Sequence, residues 1–214
     1  LVRRVRPTSL ISSGSPERLR EGGKPDIGVG QGHFSIDAWV RRDSASNAVQ
    51  TIVDKRDGTR GYSLYLYQGS PGLQMADGSG FTNFNTTIAN TVPADGNYHL
   101  VAVTVRRGLT TGIRFYVDGV LVETANPTVR PGSLANTVPL RVGARSGTPS
   151  GYFRGVVDEL EVFARSLRAE EIRTLYNARR DGKCKIFCQV PWDSPFCLNQ
   201  ASITVNHRIC NASS

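Results

Sequence analysis

The feature that most constrains this chain is a pair of short apolar runs joined by two turn residues. Ile113-Arg114-Phe115-Tyr116-Val117 leads into Asp118-Gly119, and Val120-Leu121-Val122-Glu123-Thr124 leads out. Asp-Gly supplies the positive φ angles that a tight type I′ turn needs, so this segment is an antiparallel hairpin. The runs around it have the same texture. Phe34-Ser35-Ile36-Asp37-Ala38-Trp39-Val40 alternates with period two at its start, as a half-buried strand does. Val49–Val53 and Tyr62–Tyr67 follow, the latter apolar and aromatic on both faces. His99-Leu100-Val101-Ala102-Val103-Thr104-Val105 is a longer apolar run that suits a central strand, and Pro139–Val142 and Gly155–Phe163 complete the series. Many strands, glycine-rich turns and no interleaved helices point to an all-β, two-sheet antiparallel sandwich rather than a parallel α/β sheet.

One short C-terminal helix is expected in Ser166–Tyr176. Ile172, Leu175 and Tyr176 fall on one face, and Glu170 and Glu171 lie in the first turn, where the helix dipole favours anions. It is expected to close an edge or an end of the sandwich.

Three segments differ in composition. Residues 1–24 hold Pro7, Pro16 and several Ser and Gly without a stable period, and read as a poorly ordered basic leader. Residues 25–178 hold the strand series. Residues 179–214 form a tail with all four cysteines, Cys184, Cys188, Cys197 and Cys210. Four cysteines allow three connectivities, and their spacing is not a zinc-ribbon pattern, so disulfides in an oxidising compartment are the expected use.

The net charge of +8 sits mostly on the flanks: the leader carries +4, the tail +3 and the central segment +1. A nucleic-acid binder concentrates positive charge on its folded face, so no specific nucleic-acid partner is expected. With 39% hydrophobic and 21% charged residues the chain can build a core, which excludes disorder throughout. No run of 18 apolar residues is present to make a transmembrane helix. The opening Leu1-Val2-Arg3-Arg4-Val5-Arg6 lacks the apolar segment of a signal peptide.

The residues quoted above carry a resemblance. Phe34–Val40, then Asn97–Thr104, then Phe115–Gly119, then Val157–Leu167 followed by Ala169-Glu170-Glu171-Ile172, in this order and spacing, are similar to the laminin-G-like, concanavalin A-like jelly-roll family. The resemblance spans about residues 25–178. It implies two curved antiparallel sheets and a non-catalytic recognition role, secreted or at the cell surface, with a glycan or an extracellular protein as ligand. A structural or scaffolding module of a larger extracellular protein is the alternative. Two departures stand out. The family opens with a strand before Phe34 that residues 1–24, which contain no Asp, do not supply, so an edge would be left free to pair with another chain. Arg168 stands where the family has a Ser or Thr helix cap.

Candidate chemistry follows from both sources. By resemblance, Asp158 is the candidate ligand of a structural calcium ion, which takes six to eight oxygens. Its other reading is the polar edge of a sheet. Asp54, Asp57 and Gly58 suit a loop site or, more simply, a turn. For sugar binding, Phe81-Thr82-Asn83-Phe84-Asn85 follows the glycine-rich Asp77-Gly78-Ser79-Gly80, so Phe81, Asn83, Phe84 and Asn85 are placed on a recognition loop. Tyr62, and with it Tyr67, is weighed as a further candidate, against the ordinary packing role of a strand tyrosine. A glycosidase would need two carboxyl groups about 5–9.5 Å apart. Glu159 and Glu161 share a strand face at i, i+2, yet no Glu-x-Asp-x-x-Glu segment surrounds them, and no catalytic residue is assigned. His33, His99 and His207 stand beside no evident nucleophile. Asn85-Thr86-Thr87 and Asn211-Ala212-Ser213 are glycosylation sequons.

Overall fold

A computed structural model describes residues 2–4, 29–147 and 150–178. Among these described residues eleven strands form two antiparallel sheets. In chain order they are β1 (Val2–Arg4), β2 (Phe34–Arg42), β3 (Gln50–Arg56), β4 (Arg60–Tyr67), β5 (Ser70–Asp77), β6 (Phe81–Asn85), β7 (His99–Val105), β8 (Ile113–Val117), β9 (Val120–Ala125), β10 (Arg141–Val142) and β11 (Gly155–Phe163). The helix α1 spans Ala169–Asn177. One sheet has the order β1-β11-β2-β7-β8-β9 and the other β10-β3-β4-β5-β6. This is the all-β jelly-roll sandwich with one short C-terminal helix that the sequence implies.

The core lies between the sheets. Phe34, Ile36 and Val103 come from the six-stranded sheet, and Tyr62, Leu64 and Met75 from the five-stranded one, all fully buried. The rings of Phe34 and Tyr62 meet across the interface at 5.6 Å. The Asp118-Gly119 turn forms as expected, with φ of 51° and 79°.

Residues 1–24 do supply an edge strand, contrary to expectation. Val2–Arg4 pairs with β11, Val2 facing Phe163 and Arg4 facing Glu161. Three residues are too short to show a period, and the Pro and Gly punctuation begins only at Pro7. The β11 edge is therefore covered, and the expected vacancy is not there.

The helix covers a face rather than an edge. Ile172 packs with Ala102, Tyr116, Phe163 and Leu167 on the outer side of the six-stranded sheet, and Tyr176 stacks on Trp39 with ring centroids 5.9 Å apart. Its start has no capping hydroxyl. Instead Glu171 Oε2 accepts the Arg168 backbone N–H at 2.9 Å, and the Arg165 guanidinium grips both oxygens of Glu171. Half of a capping box thus replaces the absent Ser or Thr.

Three buried cations tie the long β9–β10 connection and other loops to the sheets. Lys55 Nζ donates to the carbonyls of Asn136 (3.1 Å) and Val138 (2.8 Å). Arg107 donates to the carbonyls of Gly132 (2.6 Å) and Arg130. Arg42 donates to the carbonyl of Val92. Burying a charge is tolerable only with such partners.

Candidate functional site

The five-stranded sheet has alternating faces, and register fixes which side chains share its outer side. Tyr65 faces Gly72, which faces Asn85; Ser63 faces Gln74, which faces Asn83; Gly61 faces Ala76, which faces Phe81. Tyr67 begins the next row, opposite Ser70. On the other flank Thr51 lies beside Tyr65 and Asp54 beside Ser63, with Arg141 beyond Asp54. These ladder rows build an open groove of ≈ 280 Å³, lined by Tyr65, Tyr67, Gln74, Asn83, Asn85 and, at its flank, Arg56 and Arg145.

Several polar groups in the groove are held. The Tyr65 hydroxyl donates to Asn85 Oδ1 at 2.7 Å, and Gln74 Nε2 donates to Asn83 Oδ1. Burial pushes the Tyr65 phenol up to about 12, against the opposing pull of the Arg56 and Arg145 guanidiniums, so it stays a donor at neutral pH. Asp54, fully buried, accepts from Arg56 Nε at 2.7 Å and from the Arg56 backbone N–H at 3.1 Å. Tyr67 and Phe81 are exposed aromatics of this face, 38% and 61% accessible. They stand three ladder rows apart, about 20 Å along the strand direction. Amide edges lie between them.

The expected recognition residues divide in two. Phe81 through Asn85 are not a loop but the edge strand β6, because their alternation matches that of β5 next to them. Phe81, Asn83 and Asn85 therefore point outward and are exposed, whereas Phe84 points inward, 8% accessible and part of the core. Tyr62, fully buried against Phe34, is likewise a packing residue. Neither Phe84 nor Tyr62 faces a ligand. Sequence reasoning weighed Tyr67, which does line the groove, but missed Tyr65, Gln74, Arg56 and Arg145. The signal for the tyrosines was present in Tyr62-Ser63-Leu64-Tyr65-Leu66-Tyr67: period two puts Tyr65 and Tyr67 on the face opposite Tyr62's row of leucines only once one face is known to be core.

The other candidates occupy the opposite sheet. A β-bulge between Asp158 and Glu161, with Glu159 at φ 46°, breaks the i, i+2 relation expected of Glu159 and Glu161. Asp158 and Glu161 share the outer face instead, opposite Trp39 and Asp37. Glu161 is 3% accessible, closed to a substrate. Asp158 Oδ1 accepts the Glu159 backbone N–H at 2.8 Å and so stabilises the bulge. Among the described residues no group of three or more His, Cys, Asp or Glu gathers around it or elsewhere. Asp57 accepts from Thr59 and Arg60 in the β3–β4 turn, the turn use of Asp-Gly. His99 is held by two carboxylates, Asp118 Oδ2 at 2.7 Å from Nδ1 and Asp95 Oδ1 at 3.2 Å from Nε2. The four cysteines, His207 and the Asn211 sequon lie outside the described residues.

Comparison with known proteins agrees with this architecture. A laminin-G family model of the concanavalin A-like lectin/glucanases superfamily matches residues 24–173. The chain belongs to this superfamily. Among curated protein sequences none matches it. Solved structures with the same concanavalin A-like fold include the binding domain of a paraclostridial mosquitocidal protein, with TM-score 0.60 and 15% identity over 83% of this chain and 45% of that one. Domain 4 of an extracellular GH43 arabinanase from Geobacillus stearothermophilus, in complex with arabinotriose, gives TM-score 0.56 and 16% identity over 82% of this chain and 81% of that one. The binding domain of botulinum neurotoxin serotype D gives 0.58 and 15%, over 79% and 41%. This concanavalin A-like chain therefore spans under half the length of the two toxin binding domains.

Proposed function

We propose that this chain is a non-catalytic recognition module, secreted or displayed at a cell surface, that binds an extended glycan across the outer face of its five-stranded sheet. The observation that carries this reading is the groove itself: Tyr67 exposed in its lining, the amides of Gln74, Asn83 and Asn85 along it, and Phe81 exposed one ladder row beyond Asn83 on the same sheet face. An exposed ring offers an apolar platform to the C–H face of a sugar, and amides reach its hydroxyls. The spacing of about 20 Å along the strands suits an oligosaccharide rather than a single residue. The fold is also that of a domain solved with arabinotriose, and that of toxin binding domains, which supports binding and an exported setting. Among the described residues no helix is long and apolar enough to cross a membrane.

A glycan array probed with the protein and with Tyr67→Ala tests the proposal. Signal from defined oligosaccharides that falls at least about tenfold in the variant, at unchanged melting temperature, is the expected result. Silence across the array would favour the scaffolding role.

A further inference from the structure

The charge of the groove is one-sided. Its lining includes the guanidiniums of Arg56 and Arg145 and no carboxylate. Asp54, beneath Arg56, is the nearby acid, and one Asp54 cannot balance Arg56, Arg145 and Arg141 together. The three arginines are not equivalent. Arg56 is paired with Asp54 through Nε and Nη2. Arg141 Nη1 donates to the carbonyls of Arg145 (3.1 Å) and Gly147 (3.2 Å). Among the described residues, no acceptor engages the guanidinium of Arg145. It lies close enough to the Tyr65 phenol to act on it electrostatically, as Arg56 does. The groove thus holds a planar fork of N–H donors, beside a held phenol and an exposed ring, with nothing among the described residues to satisfy it.

We infer that the groove selects acidic glycans, with the carboxylate or sulfate of one sugar unit received by Arg145 next to the Tyr65–Asn85 pair. This rests on the proposed groove being the sugar-binding face. A guanidinium meets a carboxylate or sulfate through two parallel hydrogen bonds, which neutral sugars cannot match. Tyr65, held as a neutral phenol, adds no repelling charge. Arg56, already neutralised in part by Asp54, supports the anion at longer range.

The test is a glycan array carrying uronate, sialylated, sulfated and neutral oligosaccharides, followed by calorimetry of the best ligand against its methyl-esterified or desulfated form. Arg145→Gln, Arg145→Lys and Tyr67→Ala are compared with the unaltered protein. The acidic form should bind at least about tenfold tighter than its neutralised counterpart. Arg145→Gln should erase that difference by weakening the acidic form far more than the neutral one, Arg145→Lys should restore part of it, and Tyr67→Ala should weaken both forms. Preference for carboxylated over sulfated ligands, or the reverse, assigns the source of the anion. Equal affinity for acidic and neutral forms, indifferent to Arg145→Gln but sensitive to Tyr67→Ala, overturns the inference and leaves the groove as a neutral-sugar site. Equal binding of inorganic polyphosphate would mark a general anion patch and overturn it too. No binding by any glycan removes the groove reading as well.

Discussion

The Tyr65 hydroxyl reaches over the bare backbone of Gly72 to donate a 2.7 Å hydrogen bond to Asn85 Oδ1, joining β4 to β6 across β5. A Cβ on Gly72 would fall 2.4 Å from Tyr65 Cε2 and 2.9 Å from Asn85 Oδ1. The absent side chain is what lets the ring lie flat. Gly72 is therefore kept for close approach, not for an unusual φ.

Gly72→Ala should displace the Tyr65 ring and break its bond to Asn85. Overpacking of this kind costs about 1–3 kcal/mol. We expect a fall of that size in urea unfolding, together with loss of glycan affinity. Wild-type stability in Gly72→Ala would show that the ring is not held as described.

Phe81 and Phe84 are three residues apart on one strand and should behave as opposites. Phe84 is part of the core, so Phe84→Ala should cost about 3–5 kcal/mol of stability. Phe81 is 61% accessible, so Phe81→Ala should change stability by no more than about 0.5 kcal/mol while weakening glycan binding. Denaturation and calorimetry on both variants separate the two roles. Similar unfolding midpoints would refute the assigned register of β6.

Lys55 is 4% accessible, and its ammonium donates to the carbonyls of Asn136 and Val138. Lys55→Met keeps the stem but leaves those acceptors short of a donor. Unsatisfied buried groups cost about 1–3 kcal/mol. A drop of this order should accompany faster proteolysis in residues 126–140, which Lys55 pins to β3. An unchanged midpoint would mean that water or another donor serves these carbonyls.

How much of this was legible beforehand depends on the kind of signal each residue carries. The strands β2, β7, β8, β9 and β11 announce themselves because apolar alternation or an Asp-Gly turn is a local property. β5 hid behind Ser70-Pro71-Gly72, which reads as a turn although Pro71 opposes Leu66 within the sheet. β6 hid because Gly78 and Gly80 precede it and its outward residues are polar amides, so Asn83 and Asn85 were found as candidate binders but placed on the wrong element. Phe84 was assigned outward for the same reason: which phenylalanine faces the core is decided by register with Leu73, a non-local partner. The bulge at Glu159 has no side-chain signature, since it depends on how β11 pairs with both β1 and β2. Arg56 and Arg145 come from segments 89 residues apart in number, and only the sheet brings them to one groove.

The last prediction concerns pH. His99 opens β7 and is bracketed by Asp118 and Asp95. Burial alone would lower its pKa, but the hydrogen bonds to Asp118 and Asp95 outweigh it and the net direction is upward. A His whose folded pKa is raised contributes stability that is fully present below its unfolded value, about 6.5. That contribution is lost as pH climbs through the folded value. Asp95 works in the other direction. The Asn97 backbone N–H, then its side-chain amide and His99, hold its carboxyl down to about 2. Its contribution is present above the ordinary Asp value, about 3.9, and lost as pH falls towards 2. The melting temperature should therefore decline from pH 6.5 upward and again below pH 4, in addition to the background of the other groups. His99→Gln should flatten the alkaline decline and diminish the acid one, since Asp95 would then lose one of its partners. A melting profile across pH 6–9 that is the same for the variant and the unaltered protein would show that the Asp95–His99–Asp118 cluster does not couple protonation to folding.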